Sequence, residues 1–200
     1  MQLKKEWNER FGSTDYIYGV QPNAFIKDHS SRLTGTRIVA FAEGEGRNAV
    51  YLAAQGYDVT AWDYADNGLK KTEQLAERSG VKVRTELVDL IHDPVVPGAY
   101  DGAIMVFGHF PKESQHTVLE KLIAVVKPGG TVMVEVYSEE QLRYKTGGPK
   151  SSDMLYRAQD MLAWARQHQV VHFFYGEQIR EEGKLHTGAG HVIQVILIKT

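Results

Sequence analysis

Residues 37–54 read RIVAFAEGEGRNAVYLAA, and the change of pattern inside them decides the fold. The apolar run Arg37–Ala42, with its β-branched start, predicts a buried strand. A turn alternating glycine with glutamate follows, and Arg47–Gln55 predicts a helix closed by Gly56. The alternation continues downstream. Val59–Trp62 predicts a strand, and Asp66 an N-cap for a helix with Leu69, Thr72 and Ala76 on one face, ending before Gly80. Val81–Val88 and Asp101–Phe107 predict two more strands. The apolar stripe Val118–Val126 predicts a helix stopped by Pro128. Lys127-Pro128-Gly129-Gly130 reads as a turn into the alternating strand Thr131–Tyr137. Leu155, Ala158, Leu162 and Ala165 predict a last helix capped by Asp153, before strands at Val170–Gln178 and His191–Lys199. Upstream, Leu3, Trp7 and Phe11 predict a short amphipathic helix, and Asn23–Ser31 a second.

Strands separated by helices imply βαβ units and a parallel sheet covered on both faces. The last two strands lack a helix between them, so they are expected to pair antiparallel near one edge. The expected class is therefore α/β: a doubly wound, mostly parallel seven-stranded sheet with an antiparallel terminal hairpin. Ligands of such sheets lie at the carboxyl ends of the strands, where strand order reverses.

The chain has 200 residues, enough for one domain with decorations. With 23 Lys+Arg against 25 Asp+Glu the net charge is −2, which argues against a nucleic-acid partner held by a basic surface. Zero cysteines exclude a disulfide scaffold, a thiolate nucleophile and Cys-based metal sites. The start, MQLKKEWNER, has no apolar core of a signal peptide, and no membrane-length apolar stretch follows, so a cytoplasmic protein is expected. Eight histidines form no HExxH pattern, so no metal is expected, and there is no phosphate loop of the G-x-x-x-x-G-K-[ST] type.

Gly44-x-Gly46-x-x-Ala49 matches the dinucleotide fingerprint literally, and Asp63 lies seventeen positions beyond Gly46, where a ribose-binding acid belongs. The intervening acids change the ligand. A carboxylate ~4 Å from a phosphate costs on the order of 1 kcal/mol in water and ~4 at an effective dielectric of 20. S-adenosylmethionine instead carries a sulfonium and an ammonium beside its ribose, so Glu43 and Glu45 suit that cation and oppose pyrophosphate. Asp89, with Leu90 beside it, ends the third strand, where a carboxylate can accept from an adenine amino group. An NAD(P)-dependent oxidoreductase and a non-catalytic nucleoside-binding protein are the alternatives these residues leave open.

The order of glycine turn, Asp63, Asp89 and Lys-Pro-Gly-Gly resembles the class I S-adenosylmethionine-dependent methyltransferases over roughly Arg37–Tyr137. Gly44–Ala53, together with Trp7, Arg10-Phe11, Tyr18-Gly19 and Pro22-Asn23, is similar to the small bacterial enzymes related to tellurite-resistance and thiopurine methyltransferases. The resemblance implies a Rossmann-like methyltransferase fold in a single domain, 1–200, with a helical cap over 1–34. It implies S-adenosylmethionine as methyl donor and a small-molecule acceptor, such as a thiol or chalcogen compound. Donor-binding roles are implied for Gly44 and Gly46 beside the methionine moiety, Asp63 on ribose, and Asp89 with Leu90 at adenine. Tyr18, Asn48, Tyr64 and Phe107 are expected to complete the donor site. The family's usual motif has an acid where this chain has Ala40, and a glycine where it has Ala42, so Glu43 or Glu45 has to stand in for the acid.

Methyl transfer needs mainly alignment of donor and acceptor, and a base only where the acceptor must lose a proton. His109, just past the fourth strand, is the candidate base or orienting donor. The polar segment 138–152 is expected to be an unstructured acceptor-site loop, with Arg143, Tyr144, Lys145 and Lys150 able to meet an anionic or aromatic acceptor. Gly183–Gly188 is expected to add to its rim.

Overall fold

The computed structural model describes residues 2–183 and 186–200; Lys184 and Leu185, in the expected Gly183–Gly188 rim, lie outside them. Among the described residues six α-helices and seven strands follow one another in the order α1 (Gln2–Arg10), α2 (Ala24–His29), β1 (Arg37–Phe41), α3 (Arg47–Ala54), β2 (Asp58–Asp63), α4 (Asp66–Arg78), β3 (Val83–Leu87), β4 (Tyr100–Val106), α5 (Lys112–Ala124), β5 (Val126–Tyr137), α6 (Ala158–Ala165), β6 (Gln169–Glu182) and β7 (His186–Ile198). The strands form one sheet in the order β3-β2-β1-β4-β5-β7-β6. Five are parallel, and β7 runs antiparallel between β5 and β6. The order reverses between β1 and β4, which opens a crevice at their carboxyl ends.

Alternation along β1 builds the two layers. Val39 and Phe41 join the core that packs with Val118, Leu122, Met161 and Trp164 of α5 and α6. Ile38 and Ala40 join the opposite core, with Ile26 of α2 and Ala49 and Leu52 of α3. Both faces of β1 are thus dry, as a central parallel strand requires.

Four local expectations are corrected. Asp66 is the first residue of α4 and pairs with Lys70; the cap position is Ala65. Asp153 lies in a 3-10 turn, Ser152–Met154, and Arg157 stands at the cap position of α6. The chain between them is extended because Tyr156 bridges to Ser138 beside the sheet, and Leu162 faces outward while Met161, Trp164 and Ala165 form the buried stripe. Residues 138–152 carry a 3-10 turn at Glu139–Arg143, anchored by buried Gln141, which donates to Gly147 O and accepts from His191 N–H. Finally, α5 ends at Ala124, and Lys127–Gly130 is the irregular start of β5 rather than a separate turn.

Gly46 shows why a glycine is required in the β1–α3 turn. Its φ is 89°, and a Cβ there would stand 2.6 Å from the Thr72 side chain on α4. Gly46→Ala is expected to destabilise the fold by about 2–3 kcal/mol in urea unfolding, from overpacking plus a left-handed backbone.

Candidate functional site

The turn after β1 is built from left-handed residues: Ala42 (φ 51°), Gly44 (63°) and Gly46 (89°). Asp63 ends β2 and holds this turn from the side. Its Oδ2 accepts from Gly44 N–H at 2.9 Å and its Oδ1 from Ala65 N–H at 2.8 Å. Burial pushes its carboxyl up to about 6 against the backbone donors that favour ionisation.

The two glutamates of the turn have different fates. Glu43 Oε1 accepts from Asn48 N–H and Ala49 N–H, both at 2.8 Å, and so occupies the amino end of α3. Burial outweighs those bonds and the nearby Arg47, and lifts Glu43 to about 7. Glu45 is buried too, but its charge is met by Lys71 Nζ at 2.7 Å and it accepts from Tyr18 N–H at 3.3 Å. Asn48 Oδ1 accepts from Asn23 N–H at 2.9 Å, tying the N-terminal segment to the turn. Since Glu43 and Asp63 both sit above their ordinary values when folded, they weaken the fold as pH rises from about 4 to 7 and cost nothing below that window.

Two adjoining cavities of about 50 and 60 Å³ lie at the ends of β1, β2 and β4. Both are bordered by Trp7, Phe11, Ala42, Phe107 and His109. Asp63, Tyr64, Leu90 and Phe110 line the first; Tyr18, Glu43, Gly44, Glu45, Arg47 and Asn48 are on the second. Burial raises the Tyr64 hydroxyl, so it stays protonated. The predicted donor-site residues are therefore brought together, with two exceptions. Gly46 faces α4 and is absent from both linings. Asp89 is absent as well: its carboxylate accepts from Ile91 N–H at 3.0 Å and pairs with His92 Nδ1 at 3.0 Å. Burial alone would raise Asp89, but His92 and the backbone donors bring it below the ordinary range.

Phe107, like Ala42, has a positive φ (53°), and its ring stacks on Tyr137 at 4.5 Å. Two strained non-glycine residues thus flank the cleft, as at sites where backbone direction matters more than local stability. His109 follows. Its Nε2 is buried with no hydrogen-bond partner among the described residues. Burial, then the charge of Arg10, lowers it to about 4, so the ring is neutral at physiological pH.

Outside the cleft lies a broad depression of about 850 Å³, bordered by Trp7, Tyr18, His109 and residues 145–151. Of the acceptor-side candidates, Lys145 and Lys150 face it. Arg143 instead pairs with Glu140, and Tyr144 bonds Glu177. Sequence reasoning assigned Trp7 and Phe11 to a helix stripe and, with Arg10, to a family likeness, but gave none of the three a place in the site. Their placement over the glycine turn comes from how α1 packs, and two aromatics four apart beside an arginine were the sole local signal. Arg47, Glu135, Arg180 and Glu182 were also missed. They form a buried cluster behind the turn: Arg47–Glu182 at 2.7 Å, Arg180–Glu135 at 3.4 Å, with Asn23 Nδ2 donating to both carboxylates.

Residues 38–130 match the family model described as a methyltransferase domain. A probable S-adenosyl-L-methionine-dependent methyltransferase, TehB, from Haemophilus influenzae is 25% identical over 107 residues, covering 52% of this chain and 37% of that protein. A demethylmenaquinone methyltransferase from Thermus thermophilus is 32% identical over 100 residues, 49% of this chain and 46% of that protein. The chain thus spans under half the length of these two relatives. In fold, the crystal structure of Haemophilus influenzae TehB superposes with a TM-score of 0.74 at 14% identity, over 98% of this chain and 67% of that one. A structure titled for conversion of a disulfide bond into a thioacetal group during echinomycin biosynthesis gives the same score at 17% identity, over 94% and 86%.

Proposed function

We propose, on the premise that residues 38–130 form a methyltransferase domain of the S-adenosylmethionine-dependent family, that this chain transfers a methyl group to a small-molecule acceptor such as a thiol or chalcogen compound. The observation that carries the choice of donor is Glu43. A dinucleotide places its pyrophosphate on the amino end of the helix after the first strand. Here a protein carboxylate already takes the Asn48 and Ala49 N–H groups, leaving a negative wall suited to a cation. S-adenosylmethionine, when bound, supplies an activated methyl on a sulfonium.

The chain's residues then bind, orient and exclude water. Asp63 accepts from ribose hydroxyls, Tyr64, Leu90 and Phe110 wall the base, and Asp89 lies nearby at the end of β3. Gly44, Asn48, Tyr18 and Glu43 face the amino-acid end, while Glu45 stays with Lys71 and Gly46 keeps α3 against α4. Phe107, with Trp7 and Phe11, keeps water from the reacting carbon, and His109 stands between donor and acceptor. In this proposal residues 1–34 and 138–152 supply the acceptor side of one methyltransferase unit. The near-neutral charge supports a small molecule rather than nucleic acid as partner. Among the described residues no helix is long and apolar enough to cross a membrane; this and the lack of cysteine support a cytoplasmic setting.

Calorimetry with S-adenosylhomocysteine tests the donor. Affinity is expected to rise about fourfold from pH ~6.5 to ~8 as Glu43 ionises through about 7 against the ligand's ammonium. Asp63 is mostly ionised across that window. Glu43→Gln keeps the helix cap and is expected to bind more weakly with a flat profile. No heat at millimolar ligand rules the proposal out.

A further inference from the structure

We infer that the depression outside the cleft selects a planar organic anion that attacks already deprotonated, with His109 as a neutral N–H donor to it rather than a base; this rests on the methyl-transfer function proposed above.

Charge is the first support. Arg10, Lys145 and Lys150 border the depression, and Glu6 is the one acid on its rim among the described residues. Lys112 and Arg157 pair with Glu139, and Arg143 with Glu140, but Lys145 and Lys150 have no carboxylate within ion-pair distance among the described residues. Arg10 lies over the Trp7 ring at 4.4 Å and donates to Tyr18 Oη at 3.2 Å, which orders a cation between two aromatic walls. A volume of about 850 Å³ with aromatic sides suits a ring-sized molecule, and the cations suit its charge.

His109 supplies the second support. A general base must hold the proton it takes, usually with a carboxylate on its other nitrogen. His109 has no such partner among the described residues, and an imidazolium there would be buried beside Arg10. Its Nε2 is instead an unpartnered buried atom on the border of all three cavities. Protonated in the neutral ring, that nitrogen donates to an anion. The step balances without proton loss. The acceptor's electron pair forms the bond to the methyl carbon, the carbon–sulfur bond breaks with its pair left on sulfur, and the two opposite charges cancel.

The test begins with protein loaded with S-adenosylhomocysteine, titrated with 4-(methylthio)benzoate and with its methyl ester. The acid is expected to bind about tenfold tighter, and the double variant Lys145→Ala, Lys150→Ala to erase the difference while homocysteine-ligand affinity stays. No binding of the acid, or equal binding of acid and ester, overturns the inference alone. Failure of S-adenosylhomocysteine to bind overturns methyl transfer with it. For His109, 4-mercaptobenzoate is expected to be methylated with a pH dependence that follows its own thiol, and 4-hydroxybenzoate to react at least tenfold more slowly. His109→Ala is expected to lower kcat with no shift of the profile, and His109→Gln, which keeps an N–H donor, to recover part of that loss. A pH limb that disappears in His109→Gln marks a base and overturns the assignment.

Discussion

Asp63→Ala is expected to reduce S-adenosylhomocysteine affinity at least about 100-fold and to destabilise the fold by roughly 2–5 kcal/mol. The two losses share an origin. Asp63 is buried, and its two oxygens satisfy the N–H groups of Gly44 and Ala65. Without them two buried donors go unpaired, each costing about 1–3 kcal/mol, and the glycine turn is no longer referenced to β2. Asp63→Asn separates the effects: an amide keeps one acceptor, so stability is expected to recover in part while affinity for the ribose hydroxyls stays low. Urea unfolding and calorimetry read the two quantities. An Asp63→Ala protein that folds and binds with wild-type affinity would refute this placement of the donor.

Arg47→Met is the second large effect. The Arg47–Glu182 pair, at 2.7 Å with both side chains 8% exposed, is a charge-charge contact nearly cut off from water. Removing one partner strands the Glu182 carboxylate near Glu135, at a cost of roughly 3–5 kcal/mol, or about 10 °C in melting temperature for a chain of this size. Asn23 and the Ala24 N–H also donate to Glu182, so the carboxylate retains partial support and the protein is expected to remain folded. The double variant Arg47→Met, Glu182→Gln is expected to recover at least half the loss, because no buried charge is then unmatched. Equal losses in single and double variants would show that the pair is not coupled.

Much of the sheet was legible in the sequence because its signals are local. The Arg37–Ala42 run, the glycine turn and the seven apolar segments each carry their own period, and the absence of a helix between the last two strands marked the hairpin. Helix caps were less legible. Asp66 and Asp153 have the right residue type, yet the chain entering α4 and α6 is set by Asp63 and by the Tyr156 bridge to Ser138, contacts outside the capping window. In the site, Asp63 and Leu90 could be placed from strand ends alone. Glu43 and Glu45 could not be told apart, since the difference lies in Lys71, twenty-six positions beyond Glu45 on another helix. Asp89 is absent from both cavity linings and pairs with His92, three residues on, a partner that reasoning from strand ends does not report. The Arg47–Glu182 pair spans 135 positions, and no periodicity reports a contact of that range.

The position of β7 bears on how the chain matures during synthesis. β7 lies inside the sheet while β6, made before it, is outermost. Until β7 emerges, β5 carries a bare row of N–H and C=O groups, and β6 has no ladder to join. Roughly sixty residues separate Tyr137 from Ile198, several seconds of translation at ~5–20 residues per second. During that interval the nascent sheet exposes a long, apolar edge of the kind that recruits other chains, so ribosome-bound fragments ending before His186 should be the aggregation-prone species and the natural clients of holding chaperones.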